Sequence, residues 1–408
     1  MLGFSSERGE KMKVALAYSG GLDTTVCVRL LQERWKAEVI TVCVDVGQNP
    51  RDLEQAAERA EKMGVIKHVH IDAKDEFVEK YVFRSVKANG SYEGYPLSTA
   101  LARYPIAAKV VEVARREGAE AVAHGCTGKG NDQFRFDITF SLLAPELKII
   151  APIRELNLDR QKEIEYAKKR RLPVSFRKSK PYSVDENLWG RSIEGGVLED
   201  PAKPPPEDIY TLTVAPEKVR KRRKIIRVGF ENGIPVSVDG EKMGGVKLVQ
   251  SLNRLAGSYG IGRIELMEDR ILGLKARENY EAPAATVILQ AHKALEQAVL
   301  TKSELFFKQM IDQLWSDLVY SGFWFDPLKE DLDAFIDSTQ KRVTGEVMVE
   351  LGPGFSRVVG RKSPYSLYEK ELVSFEKFGF DQREAASVIK FMSLQSAIAR
   401  RRGSGLAA

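Results

Sequence analysis

Short apolar runs alternate with segments of helical periodicity up to about residue 177. The runs that predict β-strands are residues 14–18, 39–44, 67–71, 121–123 and 148–151. Asn49 and Pro50 predict a helix start, and Gly64 predicts the end of that helix. A further helix is predicted from about Pro105 to Arg116. Strands that are separated by helices predict a parallel, doubly wound α/β sheet.

The pattern changes after Pro181. Residues 181–200 are rich in glycine and polar groups, and the prolines of 201–206 exclude a helix or a central strand. Two hairpins are predicted, one with strands 225–230 and 234–238 and one with strands 347–351 and 357–359. Helices are predicted at 246–258, 285–300, 303–320, 328–341 and 382–401. This second part therefore has the pattern of an α+β domain.

The last predicted helix carries a stripe of apolar side chains at helical spacing. Its members are Ala385, Val388, Ile389, Met392, Leu394 and Ile398. Such a stripe packs either on its own chain or on another subunit. The patterns together predict three parts: an α/β domain over 1–177, an α+β domain over 178–370, and a C-terminal helix and tail over 371–408.

Length and composition are those of a globular protein with two or three cores. The chain has 408 residues, of which 43% are hydrophobic and 29% charged. No run approaches the ~18 apolar residues that cross a bilayer, and no signal peptide is expected in the polar first 13 residues. The three cysteines, Cys27, Cys43 and Cys126, form no C-x-x-C pair. We expect reduced thiols and a cytoplasmic location.

The net charge of +6 is modest for this length. Basic clusters occur at 168–171, 220–224 and 400–402, but none is interleaved with aromatic residues in a recognisable nucleic-acid-binding module. Cations are also stabilising at helix C-termini. We therefore interpret the basic clusters as helix ends and solvated edges. We expect neither a nucleic-acid nor a membrane partner.

A glycine turn follows the first predicted strand. Residues 17–25 read Ala-Tyr-Ser-Gly-Gly-Leu-Asp-Thr-Thr, and a helix is predicted to begin near Thr24. Gly20 and Gly21 allow backbone angles at which N–H groups converge on an anion, and a helix start adds unpaired donors. Further donors are the hydroxyls of Ser19, Thr24 and Thr25. Glycine turns are common in α/β proteins, but this order resembles the PP-loop of enzymes that cleave ATP between its α and β phosphates.

A second polar segment follows the predicted strand 121–123, at the same edge of the sheet. Residues 124–135 read His-Gly-Cys-Thr-Gly-Lys-Gly-Asn-Asp-Gln-Phe-Arg. This is not a Walker A motif, because no Ser or Thr follows Lys129. Arg135 can bind a carboxylate, Asn131 and Thr127 can orient polar groups, and Lys129 can contact phosphate. The alternative is a surface turn in which Asn or Asp caps a helix.

With these two segments, the chain resembles the argininosuccinate synthase family. The further matching blocks occur in family order and extend over nearly the whole chain after Lys13. They are 183–188 (Ser-Val-Asp-Glu-Asn-Leu), 194–201 (Glu-Gly-Gly-Val-Leu-Glu-Asp-Pro), 262–265 (Gly-Arg-Ile-Glu), 268–270 (Glu-Asp-Arg), 280–283 (Tyr-Glu-Ala-Pro), 320–323 (Tyr-Ser-Gly-Phe), 366–368 (Ser-Leu-Tyr) and 372–374 (Leu-Val-Ser).

The resemblance implies a ligase that forms a C–N bond in arginine biosynthesis. ATP, L-citrulline and L-aspartate would react through a citrullyl-adenylate to give L-argininosuccinate, AMP and pyrophosphate. It also implies Mg²⁺ carried by the ATP phosphates, and a cytoplasmic homotetramer whose C-terminal helices reach across subunits. In these terms 1–177 is an adenine nucleotide alpha hydrolase-like PP-loop domain, and 178–370 is a synthetase domain for substrate binding and multimerisation.

The resemblance implies three sets of site residues and no metal ligand among the side chains. The ATP set is Ala17, Tyr18, Ser19, Gly20, Gly21, Leu22, Asp23, Thr24, Thr25, Val44 and Gly125. The aspartate set is Thr127, Asn131 and Asp132, with Asp132 accepting from the substrate ammonium group. The citrulline set is Tyr95, Asn131, Arg135, Ser183, Ser192, Glu268 and Tyr280, in which Arg135 suits a carboxylate and Glu268 a cationic amine. From the residues alone, Glu268 also fits a surface acid, and Tyr95 and Tyr280 also fit core aromatics.

Two segments depart from the family pattern. Many members read Tyr-Leu-Leu-Gly-Thr-Ser-Leu-Ala-Arg-Pro where residues 95–104 read Tyr-Pro-Leu-Ser-Thr-Ala-Leu-Ala-Arg-Tyr. Ala100 therefore replaces a serine assigned to citrulline, and Thr99 is the nearest hydroxyl that can substitute. Gly190-Arg191-Ser192 stands where many members have His-Ile-Ser.

Other functions are open to a PP-loop protein. A tRNA-modifying enzyme that adenylates a base usually carries C-x-x-C pairs or an RNA-binding module, and a glutamine-dependent amidotransferase needs a nucleophilic cysteine. A non-catalytic nucleotide-binding module would not need the polar groups between Tyr95 and Tyr280. The four histidines, His68, His70, His124 and His292, have no metal-ligand spacing.

Overall fold

A five-stranded parallel sheet forms the first part of the protein. In the computed structural model, which describes residues 11–174, 182–376 and 379–403, the strand order is β3-β2-β1-β4-β5. The strands are β1 (Lys13–Ala17), β2 (Glu38–Asp45), β3 (Lys67–Asp72), β4 (Ala121–Ala123) and β5 (Lys148–Ile150). The sequence prediction of these five strands and of a parallel sheet is confirmed.

Alternate residues of β1 belong to two different hydrophobic clusters. Ala15 and Ala17 pack in one cluster, whereas Val14 and Leu16 pack in the other. Successive side chains of a strand point to opposite faces of its sheet, so both faces of this sheet are covered. The protein is therefore doubly wound, as predicted. From β1 the chain adds β2 and β3 on one side of the sheet and then β4 and β5 on the other, so the strand order reverses between β1 and β4. Ligands of such sheets bind at this switch point, beyond the carboxyl ends of the strands.

The helices of this part connect the parallel strands or follow the last of them. They are α1 (Leu22–Arg34), α2 (Pro50–Lys62), α3 (Lys74–Glu76), α4 (Phe83–Lys87), α5 (Ser98–Arg116), α6 (Asp132–Leu143), α7 (Pro152–Glu155) and α8 (Arg160–Lys169), with a π-helix at Phe77–Val82. Asn49 caps α2 by accepting from Arg51 N at 3.0 Å, which confirms the predicted start. The predicted start of α5 is wrong: the helix begins at Ser98, and Pro105 lies inside it. A proline removes one helical hydrogen bond, and here the buried packing of α5 outweighs that loss.

Two antiparallel sheets follow. Their strands are β6 (Ser183–Asn187), β7 (Gly190–Glu194), β8 (Lys224–Glu231), β9 (Ile234–Val238), β10 (Glu241–Lys242), β11 (Arg263–Asp269), β12 (Lys275–Glu281), β13 (Gly345–Gly352) and β14 (Phe355–Lys362). One sheet has the order β11-β12-β7-β6 and the other β10-β9-β8-β13-β14. Both predicted hairpins are confirmed as β8–β9 and β13–β14, and the first turns at Asn232 and Gly233, whose φ angles are both positive. The β6–β7 and β11–β12 pairs were not predicted.

Further helices connect these strands or follow the last of them. They are α9 (Gly245–Gly257), α10 (Pro283–Val299), α11 (Lys302–Ser321), α12 (Pro327–Gln340), α13 (Lys370–Val373) and α14 (Glu384–Gly403). The predicted helices match α9 to α12 and α14, with ends that differ by a few residues. Within the described part of the chain, no helix is both long and apolar enough to cross a membrane.

The protein divides into two compact units between Tyr365 and Ser366. The first unit holds the three sheets and a continuous hydrophobic core that includes α5. In that unit α5 contacts β1 and β2 of the parallel sheet and also β6 and β7. The second unit holds α13 and α14. The predicted boundary at 177/178 lies outside the described residues.

Candidate active site

Residues 19–25, which we call the Ser-Gly-Gly loop, connect the carboxyl end of β1 to α1. Gly20 has a φ of +74°, and a Cβ on it would lie 2.7 Å from the Cα of Ala56 in α2. The Gly20 carbonyl oxygen accepts a hydrogen bond from Arg59 Nη1 of α2 at 2.6 Å. The backbone angle and the close approach of α2 therefore both require glycine at this position.

The start of α1 presents hydrogen-bond donors at the mouth of this loop. Its N-cap is Gly21, so no side chain caps the first-turn N–H groups. Ser19 Oγ lies 3.3 Å from Thr24 Oγ1, and the Tyr18 hydroxyl lies 3.3 Å from Thr25 Oγ1. Uncapped N–H groups, hydroxyls and the positive end of the helix dipole together form a site for an anion such as phosphate.

The turn after β4 lies directly against this loop. A Cβ on Gly125 would be 3.2 Å from Thr24 Cγ2 and 3.3 Å from Thr24 N. The neighbouring His124 accepts from Cys126 N through Nδ1 at 3.1 Å, and its Nε2 lies 2.7 Å from Asp137. Because Nδ1 accepts, the proton is on Nε2 and is donated to Asp137. His124 therefore holds the turn in place. The other ATP-set residues outside the loop are also buried: Val44 in β2, Ala17 at the end of β1, and Tyr18 directly after it.

Asp132, the first residue of α6, lies between two arginines. Arg103 Nε of α5 donates to its Oδ2 at 2.7 Å, and Arg135 Nη1 donates to its Oδ1 at 2.9 Å. Arg103 also forms an ion pair of 2.8 Å with Asp185 of β6. Burial raises the pKa of Asp132, but the charges of Arg103 and Arg135 outweigh burial and hold that pKa below its ordinary value. The two guanidinium groups thus hold Asp132 ionised, and the charges of Asp132 and Asp185 balance those of Arg103 and Arg135.

Glu268 of β11 is buried among hydroxyl and amide donors. The Tyr280 hydroxyl donates to its Oε2 at 2.5 Å, and the Tyr320 hydroxyl donates to its Oε1. Asn131 Nδ2 lies 3.5 Å from Oε1 and 2.7 Å from the Tyr320 hydroxyl. Phenol and amide donors replace the water that a buried carboxylate loses, so Glu268 is prepared to receive a cation.

Tyr95 joins this cluster to the start of α5. Its ring stacks on Tyr280 with centroids 4.2 Å apart, and its hydroxyl accepts from the N–H groups of Thr99 at 2.6 Å and Ala100 at 3.2 Å. Thr99 Oγ1 donates to Ser192 Oγ at 3.2 Å, and Ser192 is paired with Tyr280 across β7 and β12. Ala100 is buried. The hydroxyl that contacts Ser192 therefore comes from Thr99, and the substitution of Thr99 for the family serine at citrulline stays a prediction.

The remaining predicted residues lie at the edge of the cluster. Thr127 and Ser183 are exposed. Ser183 lies two residues before Asp185 on β6, so both side chains point to the same face of that sheet. Asp23, in the first turn of α1, pairs with Arg160 of α8 at 2.7 Å. Thr127 and Ser183 thus lie outside the hydrogen-bond contacts of the cluster. The predicted residues that the structure brings together in the cluster are Tyr95, Asn131, Asp132, Arg135, Ser192, Glu268 and Tyr280.

The sequence analysis missed two residues in the middle of this cluster, Arg103 and Tyr320. Arg103 lies in the part of α5 before Pro105, where no helix was predicted, so its burial could not be inferred. Tyr320 ends a predicted helix and resembles an ordinary core aromatic. The one sequence signal for Tyr320 was its place in the family block 320–323.

Comparisons with known proteins agree over nearly the whole chain. The family model described as the arginosuccinate synthase N-terminal HUP domain matches residues 13–173, and the arginosuccinate synthase C-terminal domain matches residues 182–399. Curated relatives named argininosuccinate synthase include those of Methanocaldococcus jannaschii (58% identical over 93% of this chain and 96% of the relative) and Archaeoglobus fulgidus (56%, over 96% and 99%).

Among solved structures, the U34-tRNA thiolase NcsA from Methanococcus maripaludis, with its [4Fe-4S] cluster, is 18% identical. It covers 41% of this chain and 60% of its own, with a TM-score of 0.29, which is too low to bear on the fold. The family models and the curated relatives carry the assignment, and the chain belongs to the argininosuccinate synthase family.

Proposed function

We propose that the protein is an argininosuccinate synthase, which joins L-citrulline to L-aspartate at the expense of ATP. The observation that carries this proposal is membership of the family over both of its domains, at 58% identity to one curated relative. The geometry supports it, because an anion site for ATP and a buried cluster for an amino acid both lie at the switch point of the parallel sheet.

The first step activates citrulline. The ureido carbon is a poor electrophile because two nitrogens donate electron density to it. Attack of the ureido oxygen on the α-phosphate of ATP expels pyrophosphate and makes AMP a good leaving group on that carbon. In our proposal, the Ser-Gly-Gly loop and the start of α1 bind the departing pyrophosphate, and Gly125 and Val44 contact the adenosine part.

The second step forms the C–N bond. The aspartate amine attacks the activated carbon, the bond from that carbon to the transferred oxygen breaks, and the oxygen leaves with AMP. In our assignment, Thr127, Asn131 and Asp132 bind aspartate. Tyr95, Asn131, Arg135, Ser183, Ser192, Glu268 and Tyr280 surround citrulline. Arg135 binds the carboxylate of citrulline, and Glu268 binds its ammonium group. Much of the rate acceleration then comes from holding three charged molecules in line.

Mg²⁺ enters the proposal with ATP. Among the described residues, no three His, Cys, Asp or Glu side chains gather where they could hold a metal. The hydroxyl and N–H donors of the Ser-Gly-Gly loop are suited to bind phosphate oxygens. The phosphates, rather than protein side chains, would then bind the metal. Mg²⁺ bound there supplies positive charge against the leaving pyrophosphate.

Location, assembly and domain division complete the proposal. We propose a cytoplasmic enzyme, consistent with three free cysteines. We also propose a homotetramer, and a boundary between the nucleotide-binding and synthetase domains near residue 177, which falls between the two family matches.

The test is pyrophosphate release by the purified protein with ATP, Mg²⁺, aspartate and citrulline whose ureido oxygen carries an isotopic label. We expect release only when citrulline is present, and transfer of the label to the phosphate of AMP. Release that is indifferent to citrulline would remove the assignment. Release that depends on added tRNA would favour a base-modifying enzyme.

A further inference from the structure

Tyr320, near the end of α11, contacts three residues of the proposed citrulline set although it is not a member of that set. Its hydroxyl donates to Glu268 Oε1 and accepts from Asn131 Nδ2 at 2.7 Å. Its carbonyl oxygen accepts from Arg135 Nε at 3.0 Å. Asn131 precedes α6 and Arg135 lies on it, whereas Glu268 lies on β11, so this one residue joins parts of the site that are far apart along the chain.

The contact with Arg135 depends on how α11 ends. The last four carbonyl groups of a helix have no helical partner. α11 ends at Ser321, and Gly322 follows with a φ of +107°. The Tyr320 carbonyl oxygen therefore has no helical partner, and it accepts the hydrogen bond from the Arg135 guanidinium. The Arg135 Cζ also lies 5.0 Å from the centre of the Tyr320 ring, which is within cation–π range.

The Tyr320 ring is held rigidly. It stacks on Tyr92 with centroids 3.7 Å apart and planes only 8° from parallel. The Tyr92 hydroxyl donates to the Asp269 carbonyl oxygen at 3.0 Å, which anchors the stack to β11. Burial, and then the neighbouring Glu268 charge, raise the pKa of Tyr320, so its hydroxyl remains a donor across the working pH range.

We propose that Tyr320 is a positioning residue that fixes Glu268 and Asn131 for the ammonium group of citrulline while its carbonyl and ring hold Arg135 for the carboxylate. This inference rests on the proposed function. It divides the role of Tyr320 between two ends of the substrate: the hydroxyl acts at the ammonium end, and the carbonyl and ring act at the carboxylate end.

Tyr320→Phe tests that division because it removes the hydroxyl and keeps the ring and the carbonyl. We expect kcat/KM for citrulline to fall about tenfold or more, as for loss of a hydrogen bond to a charged group, with little change in KM for ATP. The decisive readout is the preference for citrulline over 5-ureidopentanoate, which lacks the amino group. That preference should shrink by the same factor, whereas the preference over citrullinamide, which lacks the carboxylate, should stay within about twofold.

Two further variants serve as controls for this test. Tyr259→Phe removes a tyrosine hydroxyl that donates to the Arg222 carbonyl oxygen at 3.0 Å, away from Glu268, Asn131 and Arg135, and should keep both preferences. In Tyr320→Phe/Glu268→Gln, the loss should be little greater than in Glu268→Gln alone, because both changes act on one interaction. Each preference is a ratio, so it does not depend on the fraction of protein that folds.

The outcomes separate this inference from the proposed function. If the wild type releases pyrophosphate without citrulline, the proposed function fails. If the wild type behaves as proposed but Tyr320→Phe keeps its preference over 5-ureidopentanoate, or loses both preferences equally, the positioning role is wrong. Additive losses in the double variant would also overturn it.

Discussion

Gly20 shows how a single residue controls the nucleotide site. Its φ of +74° is costly for any residue with a Cβ, and such an atom would also lie 2.7 Å from the backbone of Ala56. Gly64, at the end of α2, has a similar φ of +66°, but a Cβ there would meet nothing within 4 Å. A side chain at either glycine would therefore strain the backbone, but only a side chain at Gly20 would also collide with α2.

Gly20→Ala should lower both stability and affinity for ATP. We expect a loss of about 1–3 kcal/mol in the free energy of unfolding from the strained backbone. We also expect at least about a tenfold weaker Kd for ATP, because the loop must move away from α2. Denaturant unfolding and titration calorimetry measure the two effects. Gly64→Ala should lose about 1 kcal/mol and bind ATP normally. Normal ATP binding by Gly20→Ala would contradict this account of the loop.

At the scale of elements, α8 packs on α1 behind the Ser-Gly-Gly loop. Arg170 and Tyr166 bind Glu33 of α1 at 2.8–2.9 Å. Glu163 of α8 is only 1% exposed, and its Oε2 has no hydrogen-bond partner among the described residues. Burial, and then the charge of Asp23 in the first turn of α1, raise the pKa of Glu163 to about 9. The contact between the two helices therefore favours a protonated Glu163.

This raised pKa makes stability depend on pH. An unfolded glutamate titrates near ~4.3, so between there and about 9 the folded state binds more protons than the unfolded state. The contribution of Glu163 to stability must then fall as pH rises through this window. Glu163→Gln has no proton to lose. We expect it to be more stable than the wild type by about 1 kcal/mol or more near pH 8, and by much less near pH 5.

Thermal or denaturant unfolding at several pH values measures this difference. Glu165→Gln is the matched control, because Glu165 lies on the same helix but is exposed and accepts a hydrogen bond from Gln161. It should show no pH-dependent gain. A Glu163→Gln variant whose gain is the same at every pH would contradict the protonated state of Glu163.

At the scale of the whole molecule, α14 carries the predicted apolar stripe on an exposed helix. None of its residues, all of which are described, is buried. Ile389 is 66% exposed and Met392 is 78% exposed, and both belong to the apolar stripe predicted from the sequence. Exposed apolar stripes of this kind are typical of interfaces between chains. The stripe is the physical basis for the proposed homotetramer.

Ile389→Glu/Met392→Glu should dissociate the oligomer. Charges buried against an apolar surface are costly, so sedimentation velocity at about 10 µM chain should give the mass of one chain, where the wild type gives a larger one. Lys390→Glu makes the same change in net charge on the exposed helix outside the stripe, and should leave the assembly intact. A wild type that sediments as a single chain, or a double variant that sediments like the wild type, would contradict a role for α14 in assembly.

The sequence by itself determined the parallel sheet, both predicted hairpins and the Ser-Gly-Gly loop. These features depend on residues that are close along the chain: the alternation of β1, the positive φ angles at Asn232 and Gly233, and the glycines between β1 and α1. Local patterns report such features because the backbone preferences and side-chain periods that produce them are themselves local. The family resemblance also supplied the candidate aspartate and citrulline sets, and most of their residues meet in one cluster.

Only the tertiary structure decided how that cluster is held. β12 reads Lys-Ala-Arg-Glu-Asn-Tyr-Glu, and its buried residues include Glu278, Asn279 and Glu281, so no hydrophobic alternation predicted a strand. Likewise Arg103 and Tyr320 are surrounded along the chain by residues that do not reveal their partners. Their contacts with Asp132 and Glu268 join residues 29 and 52 positions apart. Buried polar groups require partners, and where those partners lie far along the chain, only folding brings them together.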